Sequence, residues 1–169
     1  MDTAMQRERL TEIFDHVVRD ITQREAGIVL HSSQTQLEGE LCTVYTTFDK
    51  GYHTSLSLCA EKSMFVRLTR RMMEKEDVTS REVELFAKEF FNVLCGHVAT
   101  QLYQITKVPA RFHVPAFCQG RYMPENHLPH IVLTYSSDEN ESAQLIHHAL
   151  TANGGGLLGQ SEQKEGAAL

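Results

Sequence analysis

The clearest helix-start signal in the chain comes before one long predicted helix. Residues 79–82 read Thr-Ser-Arg-Glu, a capping box in which Thr79 is the N-cap and Glu82 is the third helical residue. Helical spacing of apolar residues then continues to about Ile105, and residues 106–109 end the helix because the residue before a proline avoids the α region. Its broad apolar face requires another layer to pack against; this face comprises Phe86, Phe90, Val93, Leu94, Val98 and Ile105.

The remaining chain mixes helical and strand-like patterns without strict alternation. Apolar periodicity predicts helices over residues 3–24 and 61–74. Segments rich in β-branched and aromatic residues predict strands over 26–32, 40–48, 52–60, 110–119 and 130–136, with residues 142–148 forming either a last strand or a helix. Residues 49–51 are the turn of the 40–60 hairpin, Pro115 interrupts an edge or bulged strand, and Pro124, Asn126 and Pro129 mark a loop.

This order of elements predicts an α+β fold, in which long helices pack on a mainly antiparallel β-sheet. The chain of 169 residues is long enough for one ordinary domain. We expect a single domain over residues 1–152. Residues 153–169 are rich in glycine and polar residues, and we expect them to form a disordered C-terminal tail.

Charge and composition exclude several classes of function. The 16 basic and 22 acidic residues give a net charge of -6, which argues against binding to nucleic acid or to an anionic membrane. No apolar run approaches the roughly 20 residues of a membrane-spanning helix, and the N-terminus does not read as a secretory signal. The four cysteines form no C-x-x-C pair, so we expect reduced thiols, no metal site and a cytoplasmic protein.

The long helix carries an unusual stripe opposite its apolar face. On a helical wheel this outer stripe consists of Leu85, Glu89, Asn92 and Gly96. Inside a helix, Asn costs roughly 0.5 kcal/mol relative to Ala and Gly about 1 kcal/mol. Two readings are open: either Asn92 simply faces solvent and Gly96 packs against a neighbouring element, or the stripe serves a partner that needs an amide and a close approach.

The segment EFFNVLCGHVATQL, together with the element order, resembles the signature helix of the CheC/CheX/FliY family of chemotaxis phosphatases. The family pattern of Glu, two residues and Asn is met by Glu89 and Asn92, and Pro115 follows a gap of 22 residues, 93–114. The resemblance covers roughly residues 5–150. It departs from the family at Leu85, where members carry Asp or Ser.

CheC-type members have a second such helix, and here residues 12–19 of the first helix are a degenerate counterpart. Asp15 stands in place of the Asn and Arg19 in place of the glycine, after Glu12. A carboxylate has no amide donor, and an arginine obstructs close approach. One competent site per chain is similar to the CheX branch of the family, whose members are homodimers.

The resemblance implies a phosphatase for the phospho-aspartate of a CheY-like response regulator. Asn92 would hold the attacking water, Glu89 would anchor the partner through its active-site lysine, Gly96 would let the partner's backbone approach, and Leu85 would add an apolar contact. The phosphoryl group and its Mg²⁺ would belong to the partner, so no cofactor is expected on this chain. The alternative is a non-catalytic module on the same fold that binds a receiver or a motor component, or serves as a scaffold, without hydrolysis.

Overall fold

Three helices and seven strands make up the part of the chain that the computed structural model describes, residues 3–50, 54–122 and 127–150. In chain order these elements are α1 (Thr3–Ala26), β1 (Leu30–Ser32), β2 (Leu41–Lys50), β3 (Thr54–Glu61), α2 (Lys62–Met73), α3 (Ser80–Thr106), β4 (Arg111–Phe112), β5 (Ala116–Gln119), β6 (His127–Ser137) and β7 (Ser142–Leu150). The α+β prediction is confirmed.

The strands form one antiparallel sheet in the order β1-β6-β7-β3-β2-β4. Strand β5 also pairs with β2, along the same edge as β4. Val44, Leu58 and Leu145 are register partners across the three central strands, and all three are buried. They belong to the same apolar core as Phe90 and Leu94 of α3. The helices therefore cover one face of the sheet.

Helix α3 begins as its sequence predicts. The Glu82 N–H donates to the Thr79 hydroxyl at 3.1 Å, and the Thr79 N–H donates to the Glu82 carboxylate at 2.8 Å. Lys75 also donates to Glu82 at 2.8 Å, and these hydrogen bonds from Lys75 and Thr79 lower the pKa of the Glu82 carboxyl. At the other end, Lys107 adopts a left-handed conformation with φ 59° and donates its N–H to the Tyr103 carbonyl.

The first strand is shorter than the sequence predicts. Helix α1 continues through Ala26, and Gly27, with φ +67°, ends it by donating its N–H to the Gln23 carbonyl. Residues 26–29 are therefore a helix end and a connection, although Ile28 is fully buried. Burial in a connection and burial in a strand give the same apolar pattern, which explains the error.

Two predictions in the second half of the chain are resolved by pairing in the sheet. Residues 142–150 are a strand, since β7 pairs with both β3 and β6. Pro115 separates β4 from β5, and both short strands pair with β2.

Two predicted bounds were wrong. The predicted loop at Pro129 is strand, because β6 begins at His127 and accommodates the proline through a register shift between Pro129 and Ile131. Asp49 and Lys50, predicted as turn, extend β2, because Lys50 pairs with Arg111. Gly51 of that predicted turn and the loop residues Pro124 and Asn126 lie outside the described residues, as does the predicted tail, 153–169. The domain boundary at residue 152 stays a prediction.

Replacing the N-cap of α3 tests the contribution of the capping box. We expect Thr79→Ala to lower the free energy of unfolding by about 1 kcal/mol, because the Glu82 N–H loses its acceptor. Urea denaturation measures the change. Ser80→Ala is the matched control, since Ser80 is exposed and makes no capping hydrogen bond. Equal stability of the Thr79→Ala and wild-type proteins would contradict the assignment.

Candidate functional site

The outer stripe of α3 faces away from the core, as its sequence predicts. Leu85, Glu89 and Asn92 are exposed, and Gly96 is half-buried. We call these four residues the α3 strip. Their orientation follows from the opposite face of the helix, where Phe90, Phe91, Leu94, Cys95 and Val98 are buried against the sheet and the other helices. Ile105, which the sequence assigns to the apolar face, is 38% exposed at the helix end.

Glu89 and Asn92 project side by side without partners. Residues three apart on a helix have Cβ atoms about 5–6 Å apart, so the two side chains can act on one small group. Within the described part of the chain, neither the Glu89 carboxylate nor the Asn92 amide makes a hydrogen bond or an ion pair. By contrast, Lys88 pairs with Glu84 at 3.3 Å on the same helix. The sequence leaves Glu89 free, because Leu85 and Val93 occupy the two positions four residues away.

Gly96 has open space beside it. A Cβ atom built at this position meets no heavy atom of another element within 4 Å. The Thr100 hydroxyl donates back to the Gly96 carbonyl at 3.0 Å, so this neighbouring side chain is turned along the helix. Packing against a described element is therefore not the reason for a glycine here, and the reading that a partner approaches closely remains.

The α3 strip is a convex surface, which limits its chemistry. A cavity of about 380 Å³ lies between the start of α1 and the end of α3, but its lining includes neither Glu89 nor Asn92. Small-molecule sites are concave and enclose most of their ligand. Nor do any three His, Cys, Asp or Glu side chains converge as a metal site within the described ranges. A carboxylate beside an amide on a convex helix suits insertion into a concave site on another protein.

The counterpart on α1 is occupied by contacts within the chain. The buried Tyr135 donates its hydroxyl to Asp15 at 2.6 Å, and Arg19 donates to the same carboxylate at 3.0 Å. Arg19 also donates to the Leu30 carbonyl and the Ser32 hydroxyl, and its guanidinium lies 5.4 Å from the Tyr135 ring centre. Burial and the hydrogen bond to Asp15 raise the pKa of Tyr135 well above its ordinary range.

This network explains why the two helices are not equivalent. Asp15 and Arg19 join α1 to β1 and β6, whereas the Glu89 and Asn92 side chains make no hydrogen bond or ion pair to any described residue. Only Glu12 of the three counterpart positions is exposed. The sequence predicted a degenerate site at this place but missed the network, because Tyr135 lies 120 residues from Asp15 in the chain.

Sequence reasoning also missed how far the exposed face of α3 extends. Tyr103, 48% exposed, lies 18 residues after Leu85, which is about five helical turns and so the same direction on the wheel. This 18-residue spacing could have shown from the sequence that Tyr103 shares the exposed face. It was missed because a Tyr in a helix is usually counted with the apolar face.

Comparison with known proteins identifies the fold. The profile of the family described as "Chemotaxis phosphatase CheX" matches residues 42–134, which include the α3 strip. No curated protein sequence matches the chain significantly.

Solved structures share the fold over most of their length. The chemotaxis protein CheX of Desulfovibrio desulfuricans is similar with TM-score 0.67 and 10% identity, over 82% of this chain and 97% of that one. The CheX-CheY-BeF3-Mg²⁺ complex from Borrelia burgdorferi gives 0.67 and 14%, over 83% and 96%. A CheC-like superfamily protein from Shewanella sp. PV-4 gives 0.65 and 14%, over 88% and 98%. The architecture is thus the CheC-like fold.

None of the helices in the described ranges combines the length and the apolar character needed to cross a bilayer.

The open space at Gly96 makes a stability prediction. We expect Gly96→Ala to raise the free energy of unfolding by up to about 1 kcal/mol, because alanine is the better helix former and its methyl group meets no neighbour. Thermal and urea denaturation measure the change. Ala99→Gly on the same helix is the reverse control and should lower stability. A destabilised Gly96→Ala protein would mean that another element contacts this position.

Proposed function

The chain belongs to the CheX family of chemotaxis phosphatases, and we propose that it hydrolyses the aspartyl phosphate of a CheY-like response regulator through Glu89 and Asn92. The observation that carries the assignment to these residues is an outward-facing carboxylate and amide, both unpaired among the described residues, on a helix whose other face is buried. A surface selected only for helix stability would favour Ala, Lys or Gln at position 92.

The proposed reaction divides its components between two proteins. The response regulator supplies the phosphoryl group and the Mg²⁺ that neutralises its charge, and no cofactor is needed on this chain. A water molecule attacks phosphorus in line with the bond to the aspartate oxygen. The new O–P bond forms as the P–O bond to the carboxylate breaks, releasing inorganic phosphate and restoring the aspartate.

Asn92 orients that water. Its side-chain amide has both a donor and an acceptor, so it can hold water without a change of protonation. It also adds no negative charge beside the phosphoryl group, which a carboxylate would do. The exposed position on α3 permits insertion into the partner's active site, and Gly96, one turn further along, leaves room for the partner's backbone.

Glu89 anchors the partner by pairing with the active-site lysine of the receiver. A charge-assisted hydrogen bond of this kind requires a carboxylate that is not already paired, and Glu89 meets this requirement within the described residues. Leu85 adds an apolar contact where other family members carry Asp or Ser. Since the chain has a net charge of -6, recognition of an acidic phosphorylated partner rests on these local contacts and not on long-range attraction.

Two further properties accompany this proposal. One open site per chain, with the α1 counterpart occupied by its own contacts, favours the homodimeric arrangement of the CheX branch. A response regulator as substrate places the reaction in the cytoplasm, in keeping with four free cysteines.

The second candidate function is a receiver-binding module without hydrolysis, which the substitution at Leu85 favours.

Replacing the amide tests the catalytic role directly. We expect Asn92→Ala to slow phosphate release from a phosphorylated receiver by about 10²–10³-fold, because the water is no longer positioned. Binding to a beryllofluoride-activated receiver should be largely retained. The measurement is inorganic phosphate release from a panel of phosphorylated receivers, with wild type and variant side by side.

His97→Ala is the matched control, because His97 is exposed on the same helix but lies outside the α3 strip. Asn92→Asp keeps the size of the side chain, removes the amide donor and adds charge, so it should also be inactive. If Asn92→Ala were as fast as wild type, the mechanism would be wrong. If wild type bound the receiver and never released phosphate, the non-catalytic alternative would hold.

The anchoring role of Glu89 predicts coupling to a residue of the partner. We expect Glu89→Gln to weaken binding to the activated receiver by about 10–100-fold and to lower the phosphatase rate with it, because a charge-assisted hydrogen bond is lost. In a receiver whose active-site lysine is replaced by alanine, the same Glu89→Gln change should have almost no further effect. Additive effects of the two substitutions would exclude the pairing.

A further inference from the structure

We propose that Tyr103 is a docking residue for the same response regulator, and that it contacts the receiver outside its active site and so helps to determine which receivers are accepted. The inference rests on the proposed function and extends it. It names the kind of surface that the partner must offer: an apolar patch with a hydrogen-bond acceptor, about 16 Å along α3 from the point where Asn92 meets the receiver.

The first observation is the position of Tyr103 on α3. It lies 11 residues after Asn92, which corresponds to about 16 Å along the axis and about 20° around it. Leu85 lies on the other side of Asn92 at about 10 Å. Two large exposed apolar side chains therefore bracket the Glu89–Asn92 pair on one straight line, and the residues of that line between them are polar or small.

The second observation is the environment of Tyr103. Its side chain is 48% exposed, and within the described ranges no group hydrogen-bonds to its hydroxyl. It does not line the cavity between α1 and α3, so its ring does not fill that groove. An aromatic ring with a free hydroxyl offers a large rigid contact area and one directional polar group, the combination that is enriched at protein interfaces.

A protein interface of ordinary size can include both Asn92 and Tyr103. A standard interface buries about 800 Å² on each partner, which corresponds to a circular patch about 32 Å across. A receiver centred on Asn92 therefore extends about 16 Å in each direction along α3, which is about the distance to Tyr103. The distance from Leu85 to Tyr103, about 27 Å, fits within one such patch.

The same distance argues against a second copy of this chain at Tyr103. A stable interface centred on Tyr103 would also cover Asn92, about 16 Å away, and would block the proposed site. Continuity with the α3 strip therefore favours the response regulator as the occupant.

Steady-state kinetics with a phosphorylated receiver test this role. We expect Tyr103→Ala to raise KM by about 5–10-fold, as truncation of an interface tyrosine does, with kcat changed by less than about twofold because the water-holding group is untouched. Tyr103→Phe should recover most of the loss if the ring dominates the contact. Val132→Ala is the matched control, since Val132 is 47% exposed on β6 and alternates with the core residue Ile131, so it points to the sheet face away from the helices.

Each other outcome is decisive. An unchanged KM for Tyr103→Ala beside an active wild type would overturn the docking role and leave the proposed function intact. Loss of the wild-type oligomeric state in Tyr103→Ala, measured by light scattering, would place Tyr103 between copies of the chain and also overturn it. A wild type that releases no phosphate would refute the proposed function itself, and Tyr103 would then be tested by direct binding to the beryllofluoride-activated receiver.

Discussion

The burial of one face of α3 is the constraint on which the rest of the structure depends. Phe90, Phe91 and Leu94 are fully buried, and each side chain of this size contributes roughly 1.5–3 kcal/mol on burial. Fixing these residues also fixes the rotation of the helix, since successive residues turn by 100°. Glu89 and Asn92 therefore face outward because of what the opposite side of the helix packs against, and not because of contacts of their own.

A rigid convex helix is an unusual support for an enzyme, and the division of components explains how it suffices. In the proposed reaction the response regulator holds the phosphoryl group, the metal ion and the concave pocket. This chain then contributes one amide and one carboxylate at a set separation. Because one side of the helix is buried from Val83 to Leu102, the two groups need no lid or cleft to be positioned. Helix α1 differs, because Asp15 accepts hydrogen bonds from Tyr135 and Arg19 and so stabilises the fold instead of facing a partner.

Local signals in the sequence were enough for much of this architecture. The capping box at Thr79, the helix end before Pro109 and the β-branched hairpin strands depend on neighbouring residues, and the structure has them close to where they were predicted. Errors fell where a local pattern fits two different structures or where the outcome depends on a distant partner. Apolar residues 26–29 read as strand, but Gly27 ends a helix there, and Pro129 lies in a strand because β7 pairs along β6.

The sequence by itself determined the outward stripe of α3, because helical periodicity assigns Leu85, Glu89, Asn92 and Gly96 to one side whatever the helix packs on. The tertiary structure decided what surrounds that stripe. In the folded protein there is open space beside Gly96, Asp15 of α1 accepts a hydrogen bond from Tyr135, and Tyr103 is exposed further along α3. The physical reason is range: periodicity acts over one turn, whereas exposure and unpaired charge depend on elements brought together from across the chain.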